Sequence, residues 1–202
     1  VLDGWSAPAL PVPFAGGFVG SFGFDLVRLI ERIPSRPRDP WALPIAILGR
    51  FDSVVAFDHA QQRLLLVANE IEGEVSAAAA DRALDGLEAA LAREAAVRAV
   101  RLPPVAPKLS RAAAASLLDA DFVRAVVAAK EHIAAGDIFQ VVLARRFTLA
   151  SEARPEALYR ALRRVNPSPY MVLLELPEVA LVGASPEMLV RKTGSRLVTR
   201  PI

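Results

Sequence analysis

NPSPYMVLLELPEVALVGASPEMLVR, residues 166–191, decides the fold class. Two short apolar runs, 170–176 and 180–183, follow one another with no helix between them. A third strand-like run, 188–202, turns over at Thr193-Gly194-Ser195, a hairpin signal. Strands that succeed strands, with helices placed irregularly among them, argue against repeated βαβ units. They predict an α+β chain of antiparallel β-sheets covered by helices.

Working upstream, 155–165 reads as a helix with Pro155 in its first turn, where a missing N–H costs nothing. Residues 138–149 read as a long strand. Before it, 119–135 reads as a helix with Phe122, Val126, Ala129 and Ile133 as its buried stripe. Asp119 or Asp121 is expected to cap its first turn, and Gly136 to supply the left-handed stop. Residues 76–100 form an Ala-rich amphipathic helix through Leu84, Leu87, Leu91 and Ala95. The three prolines of 102–108 end it and mark a linker.

Further back, the runs 45–57 and 63–68 read as a hairpin, with Arg50 and Asp52 marking a bulge or bend in the first. A Pro- and Arg-rich loop spans 33–44, and 24–32 reads as a short helix stopped by Pro34. Gly16, Gly17, Gly20 and Gly23 alternate with apolar residues but do not match a dinucleotide-binding fingerprint. They are read as a strand against which neighbouring backbone packs closely.

Composition excludes several functions. With no Cys, the chain has no disulfide framework, thiolate metal site or thiol nucleophile. A net charge of +2 is too balanced for an expected nucleic-acid partner. No apolar run is long enough to span a bilayer, so no membrane partner is expected, and a cytoplasmic location is. His59 and His132 are the only histidines, and both are read as solvated side chains outside any metal-binding pattern. The pairs Arg145-Arg146 and Arg163-Arg164 are too short to make a basic patch.

Three stretches carry candidate chemistry. Gln140 sits among apolar residues in GDIFQVVL, where a buried amide needs a partner. It either pairs with backbone or points into a ligand cavity. Asn166-Pro167-Ser168-Pro169-Tyr170-Met171 is a turn stiffened by two prolines, either a plain helix stop or a preformed edge for a ligand. Glu187 follows the small residues of Gly183-Ala184-Ser185 at an expected strand start, as a solvated carboxylate or as a general acid or base.

Taken together, GGFVGSFGFDLVR, AAKEHIAAGDIFQVVLARRF, NPSPYMVLLELPEVALVGASPEMLVR and RPI resemble the chorismate-utilising enzymes, and within them the anthranilate synthase large-subunit group. The resemblance covers most of the chain, with the motifs in family order. It implies antiparallel sheets packed face to face with helices outside and an active site between. It implies conversion of chorismate and ammonia to anthranilate and pyruvate in tryptophan biosynthesis, with Mg²⁺ bridging substrate and enzyme carboxylates. The ammonia would come from a glutamine amidotransferase subunit, component II. Tryptophan would act as feedback inhibitor.

By the same resemblance, Glu187 matches an active-site carboxylate. Gln140 occupies a position that is Lys in water-using relatives, and a neutral amide cannot activate water as a base. Asn166, Pro167, Ser168, Pro169, Tyr170 and Met171 match the tryptophan-contacting turn. The metal ligands are expected beyond Ile202, so none is assigned here. Residues 1–70 correspond to the latter part of the family's N-terminal region. Residues 71–118 are a helix and linker, and 119–202 are the first part of the chorismate-binding domain.

The chain opens at Val1 and closes inside a strand-like run at Ile202, so it is expected to be a piece of a longer protein, with unpaired apolar sheet edges and little activity alone. Two rival readings remain: aminodeoxychorismate synthase component I of the folate branch, and a non-catalytic effector-binding module.

Overall fold

The computed structural model describes residues 10–33, 39–93 and 113–200. Pro34, residues 94–100 with Ala95, the 102–108 linker and Pro201-Ile202 lie outside the described residues. The elements in chain order are β1 (Gly17–Phe22), a 3-10 helix (Phe24–Leu29), β2 (Ala46–Phe51), β3 (Ser53–Asp58), β4 (Arg63–Ala68) and α1 (Ala77–Ala92). They continue with β5 (Ala114–Ala115), α2 (Asp119–Ala135), β6 (Phe147–Thr148), α3 (Pro155–Val165), β7 (Tyr170–Glu175), β8 (Ala180–Ser185), β9 (Arg191–Thr193) and β10 (Arg196–Val198). Every sheet among the described residues is a two-stranded antiparallel pair. The α+β class and the antiparallel pairing are therefore as expected. The chain divides into two compact units, Val1–Ala99 with Ser168–Ile202, and Val100–Pro167.

In the first unit, β1 pairs with β2 from Gly17↔Phe51 to Phe22↔Ala46. Gly20 faces Leu48, and a Cβ there would collide with the backbone of Ile47 and Leu48, so the close approach read from the glycines is real. The run 45–57 is not one strand. It breaks at Asp52 into β2 and β3, where Arg50 and Asp52 interrupt the apolar pattern. Arg50 ion-pairs with Asp52 at 2.9 Å and with Glu74. Those carboxylates hold its guanidinium above its ordinary pKa, the Glu74 hydrogen bond first.

Asn69 ties the β1–β2 pair to the β3–β4 hairpin. Its side-chain N–H groups donate to the carbonyls of Ala15 (2.7 Å) and Asp52 (2.9 Å), and its backbone N–H also donates to Asp52 (2.9 Å). The hairpin β3–β4 turns on Asp58, whose carboxylate accepts from the Ala60 and Gln61 N–H groups at 3.1 and 3.0 Å. α1 starts on Ser76, whose hydroxyl accepts from the Ala79 N–H at 3.3 Å, and packs against β3 and β4. Ala80 on α1 and Leu174 on β7 are the buried hydrophobic residues among those described.

The second unit corrects three expectations. First, α2 has the expected bounds and ends on Gly136 in the left-handed region (φ 81°), but neither Asp119 nor Asp121 caps it. Leu118 holds the cap position without a side-chain bond. Asp119 reaches Arg145 at 2.6 Å and Asp121 reaches Arg124, so both carboxylates serve cations while still complementing the positive end of the helix dipole. Second, the apolar stripe is not buried. Val126 and Ile133 are exposed, Phe122 and Ala129 half-buried.

Third, the long strand 138–149 shrinks to the two residues of β6, paired with β5. A strand is held by its ladder, and among the described residues no strand pairs with 138–145; the Ser116 N–H reaches the Arg146 carbonyl at 2.8 Å only at the edge of β6. Phe139 (99% exposed) and Val142 (81%) therefore stand in solvent. In the first unit, the expected helix 24–32 is the shorter 3-10 helix, with its N–H bonds running to Gly23 and Val27 carbonyls.

Candidate active site

The hairpin β7–β8 builds the site. Its register runs from Tyr170↔Ser185 to Glu175↔Ala180, with Met171 opposite Ala184. This pairing sets the Pro-flanked turn directly beside the segment that carries Glu187. The join is a set of serine hydrogen bonds. The Ser168 hydroxyl donates to the Ser185 carbonyl and accepts from the Tyr170 N–H at 3.3 Å. The Ser185 hydroxyl donates to the Glu187 carbonyl at 3.0 Å and accepts from the Glu187 N–H at 3.4 Å.

Both serines precede proline, Ser168-Pro169 and Ser185-Pro186, which confines each to extended backbone. Two locally stiff segments thus face each other. Ser168, Met171 and Glu187 are half-buried there, and Tyr170 is at the edge of exposure. Tyr170 and Met171 are successive strand residues, so their side chains leave opposite faces of the hairpin.

Three placements differ from those expected. Glu187 is not at a strand start. It lies in the irregular segment after β8, because Pro186 offers no N–H to extend the ladder. Gln140 is not a buried amide. It is exposed, in the irregular stretch after α2, and so has no desolvation to offset. The turn 166–171 is divided between the units. Asn166 and Pro167 close the second unit, with the Asn166 N–H donating to the Leu162 carbonyl at 2.8 Å, while Ser168 to Met171 belong to the first.

Both histidines are exposed as expected. His59 stacks on Phe57 with ring centroids 6.5 Å apart, and His132 Nδ1 lies 2.8 Å from Asp137. No group of three or more His, Cys, Asp or Glu among the described residues is placed to hold a metal ion. The sequence reading missed an apolar cleft of about 410 Å³ in the first unit, lined by Phe14, Val19, Phe51, Val54, Leu173 and Leu174 among others. None of the candidate residues lines it. Its one sequence signal is the unbroken apolar run of β7, whose composition alone does not say which face is covered.

The chain matches the family model of chorismate binding enzymes over residues 3–202. It is 45% identical over 203 aligned residues to anthranilate synthase component 1 of Thermus thermophilus, covering 96% of this chain and 40% of that protein. It is 40% identical over 201 residues to anthranilate synthase component 1 of Streptomyces coelicolor, covering 96% of this chain and 39% of that protein. Among solved structures, anthranilate synthase component I of Streptococcus pneumoniae superposes with a TM-score of 0.79 at 28% identity, over 94% of this chain and 43% of that one. The chain spans about two fifths of the length of these relatives. A family match over nearly all its residues, on a fold shared with a member of known structure, makes this chain a member of the chorismate binding enzymes.

Proposed function

We propose that the chain is part of the large subunit of an anthranilate synthase, which converts chorismate and ammonia to anthranilate and pyruvate for tryptophan biosynthesis. The observation that carries this reading is the register Tyr170↔Ser185, which sets the Pro-flanked turn beside Glu187, in a chain whose relatives bear that enzyme's name. Glu187 supplies a carboxylate to the substrate. Gln140 supplies a neutral amide, which cannot deprotonate water, and so favours ammonia as nucleophile. Ser168, Pro169, Tyr170 and Met171, with Asn166 and Pro167, form the edge that tryptophan contacts as feedback inhibitor. A glutamine amidotransferase subunit supplies the ammonia.

Mg²⁺ belongs to this reading as the ion that binds the substrate carboxylate. Among the described residues no group of three or more His, Cys, Asp or Glu side chains is placed to hold it. The division into a 1–70 region, a 71–118 connection and a 119–202 portion of the chorismate-binding domain belongs to the same reading. So does a cytoplasmic location. No described helix is long and apolar enough to cross a membrane.

The test is chemical. The complete gene product, given chorismate, an ammonium salt and Mg²⁺, is expected to form anthranilate, followed by its fluorescence and by chromatography. Accumulation of 4-amino-4-deoxychorismate would move the assignment to the folate branch. Absence of any amination would leave only an effector-binding role.

A further inference from the structure

We propose that Ser185 is a positioning residue for Glu187, and that Ser168 fixes it from the neighbouring turn. The inference rests on the functional reading above. One hydroxyl is bonded to both backbone polar groups of the same residue: it accepts from the Glu187 N–H (3.4 Å) and donates to the Glu187 carbonyl (3.0 Å). Between them stands Pro186, whose ring fixes φ and whose nitrogen carries no hydrogen. Two hydrogen bonds and one locked torsion therefore set the direction in which Glu187 leaves the end of β8. No other described backbone or side-chain bond to the Ser185 hydroxyl competes with this arrangement.

The arrangement continues on the other side of the hairpin. The Ser185 carbonyl accepts from the Ser168 hydroxyl, which in turn accepts from the Tyr170 N–H (3.3 Å). A hydroxyl serves here as donor and acceptor at once, which alanine cannot do and threonine can. Pro167 and Pro169 hold Ser168 in place as Pro186 holds Glu187. The two Ser-Pro pairs thus form one hydrogen-bonded path from the turn to the carboxylate-bearing residue. Displacing a catalytic group by about 1 Å costs on the order of a hundredfold in rate, so loss of this path is read in turnover rather than in substrate affinity.

The experiment uses the complete protein with Ser185→Ala, Ser185→Thr, Ser168→Ala and the Ser168→Ala/Ser185→Ala double variant. Anthranilate formation from chorismate and ammonia is measured as kcat and KM, with a thermal melt for each variant. Ser185→Ala is expected to lower kcat by tenfold or more with KM within about twofold, and Ser185→Thr to restore kcat to within about threefold. The double variant is expected to be no slower than Ser185→Ala alone, because the two serines act in series. A Ser185→Ala enzyme with wild-type kcat overturns the proposal. So does a Ser185→Thr enzyme as slow as Ser185→Ala, since the hydroxyl would not then be what matters. If Ser185→Ala does not fold, Ser168→Ala decides: a fall in kcat at constant KM supports the path, and wild-type kcat overturns it. A wild-type protein that makes no anthranilate overturns the functional reading itself and this inference with it.

Discussion

Replacing Gly20 by alanine tests the packing of the first unit where it is tightest. A Cβ at this position would lie 2.9 Å from both the Ile47 carbonyl carbon and the Leu48 Cα, with the Ile47 carbonyl oxygen closer still. All three atoms are backbone of β2, so no side chain can rotate away. The strands must separate by on the order of 1 Å, which takes ladder bonds from the usual N···O distance to beyond hydrogen-bond range. Losing two or three such bonds, at about 1 kcal/mol each, costs ~2–3 kcal/mol. Alanine returns about 0.4–1 kcal/mol by restricting the unfolded chain. The net expectation is a loss of about 1–3 kcal/mol, read as a lower denaturation midpoint and as faster hydrogen exchange confined to β1 and β2. Gly86 is the control. It lies in α1 with nothing within 4 Å of a Cβ, so Gly86→Ala is expected to stabilise by ~0.5–1 kcal/mol. If Gly20→Ala were as stable as the parent, or if the two substitutions shifted the midpoint alike, the β1–β2 register would be wrong.

Three other outcomes follow from individual residues. Gly136→Ala puts a Cβ on a left-handed C-cap (φ 81°) and is expected to cost about 1–2 kcal/mol, with Gly136→Asn milder; a midpoint unchanged by alanine would contradict the cap. The Gln61 N–H is the largest cause holding the Asp58 carboxyl below its ordinary 3.8, ahead of the Arg63 contribution. A depressed folded-state pKa gives stability that is present above the unfolded value and lost as pH falls through the folded one, so Asp58→Asn should melt below the parent at pH 7 and converge with it in acid. A gap that persists unchanged at pH 2 would count against this. In the complete protein, Glu187→Gln is expected to lower kcat/KM at least about a hundredfold with an unchanged melt, and activity within threefold of the parent would remove Glu187 from the site.

What could be read from the chain was whatever its own neighbours dictate. The bounds of α2 and α3, the stop at Gly136 and the turn at Thr193-Gly194-Ser195 depend on helical period, proline placement and left-handed glycine. The break at Asp52 falls where Arg50 and Asp52 interrupt the apolar run, although Arg50 itself stays in β2. Failures came where a distant partner decides. Residues 138–145 have strand composition, yet composition makes a strand only where another backbone completes the ladder. Asp119 is drawn from the expected capping role by Arg145, which lies 26 positions further along the chain and captures the carboxylate. One polar residue after an apolar run has no local signature, so the role of Asn69 is visible only once Ala15 and Asp52 are beside it.

The candidate site falls between these cases. The Ser-Pro pairs were both visible, but as two unrelated motifs. What unites them is a four-residue turn at the far end of the hairpin, Leu176 to Val179, closed by the Leu176 N–H to the Val179 carbonyl at 2.9 Å. From Glu175↔Ala180 each step outward moves one residue back and one forward, so five steps give Tyr170↔Ser185. A register shifted by one would turn every side chain of the shifted strand to the other face and carry the Ser185 carbonyl away from Ser168. The turn 176–179, separated from the Tyr170↔Ser185 pair by six-residue strands of about 20 Å at ~3.3 Å per residue, therefore sets which hydroxyl meets which carbonyl at the site. The information was local, in the turn. Its consequence was not, because a β-ladder transmits register over its whole length.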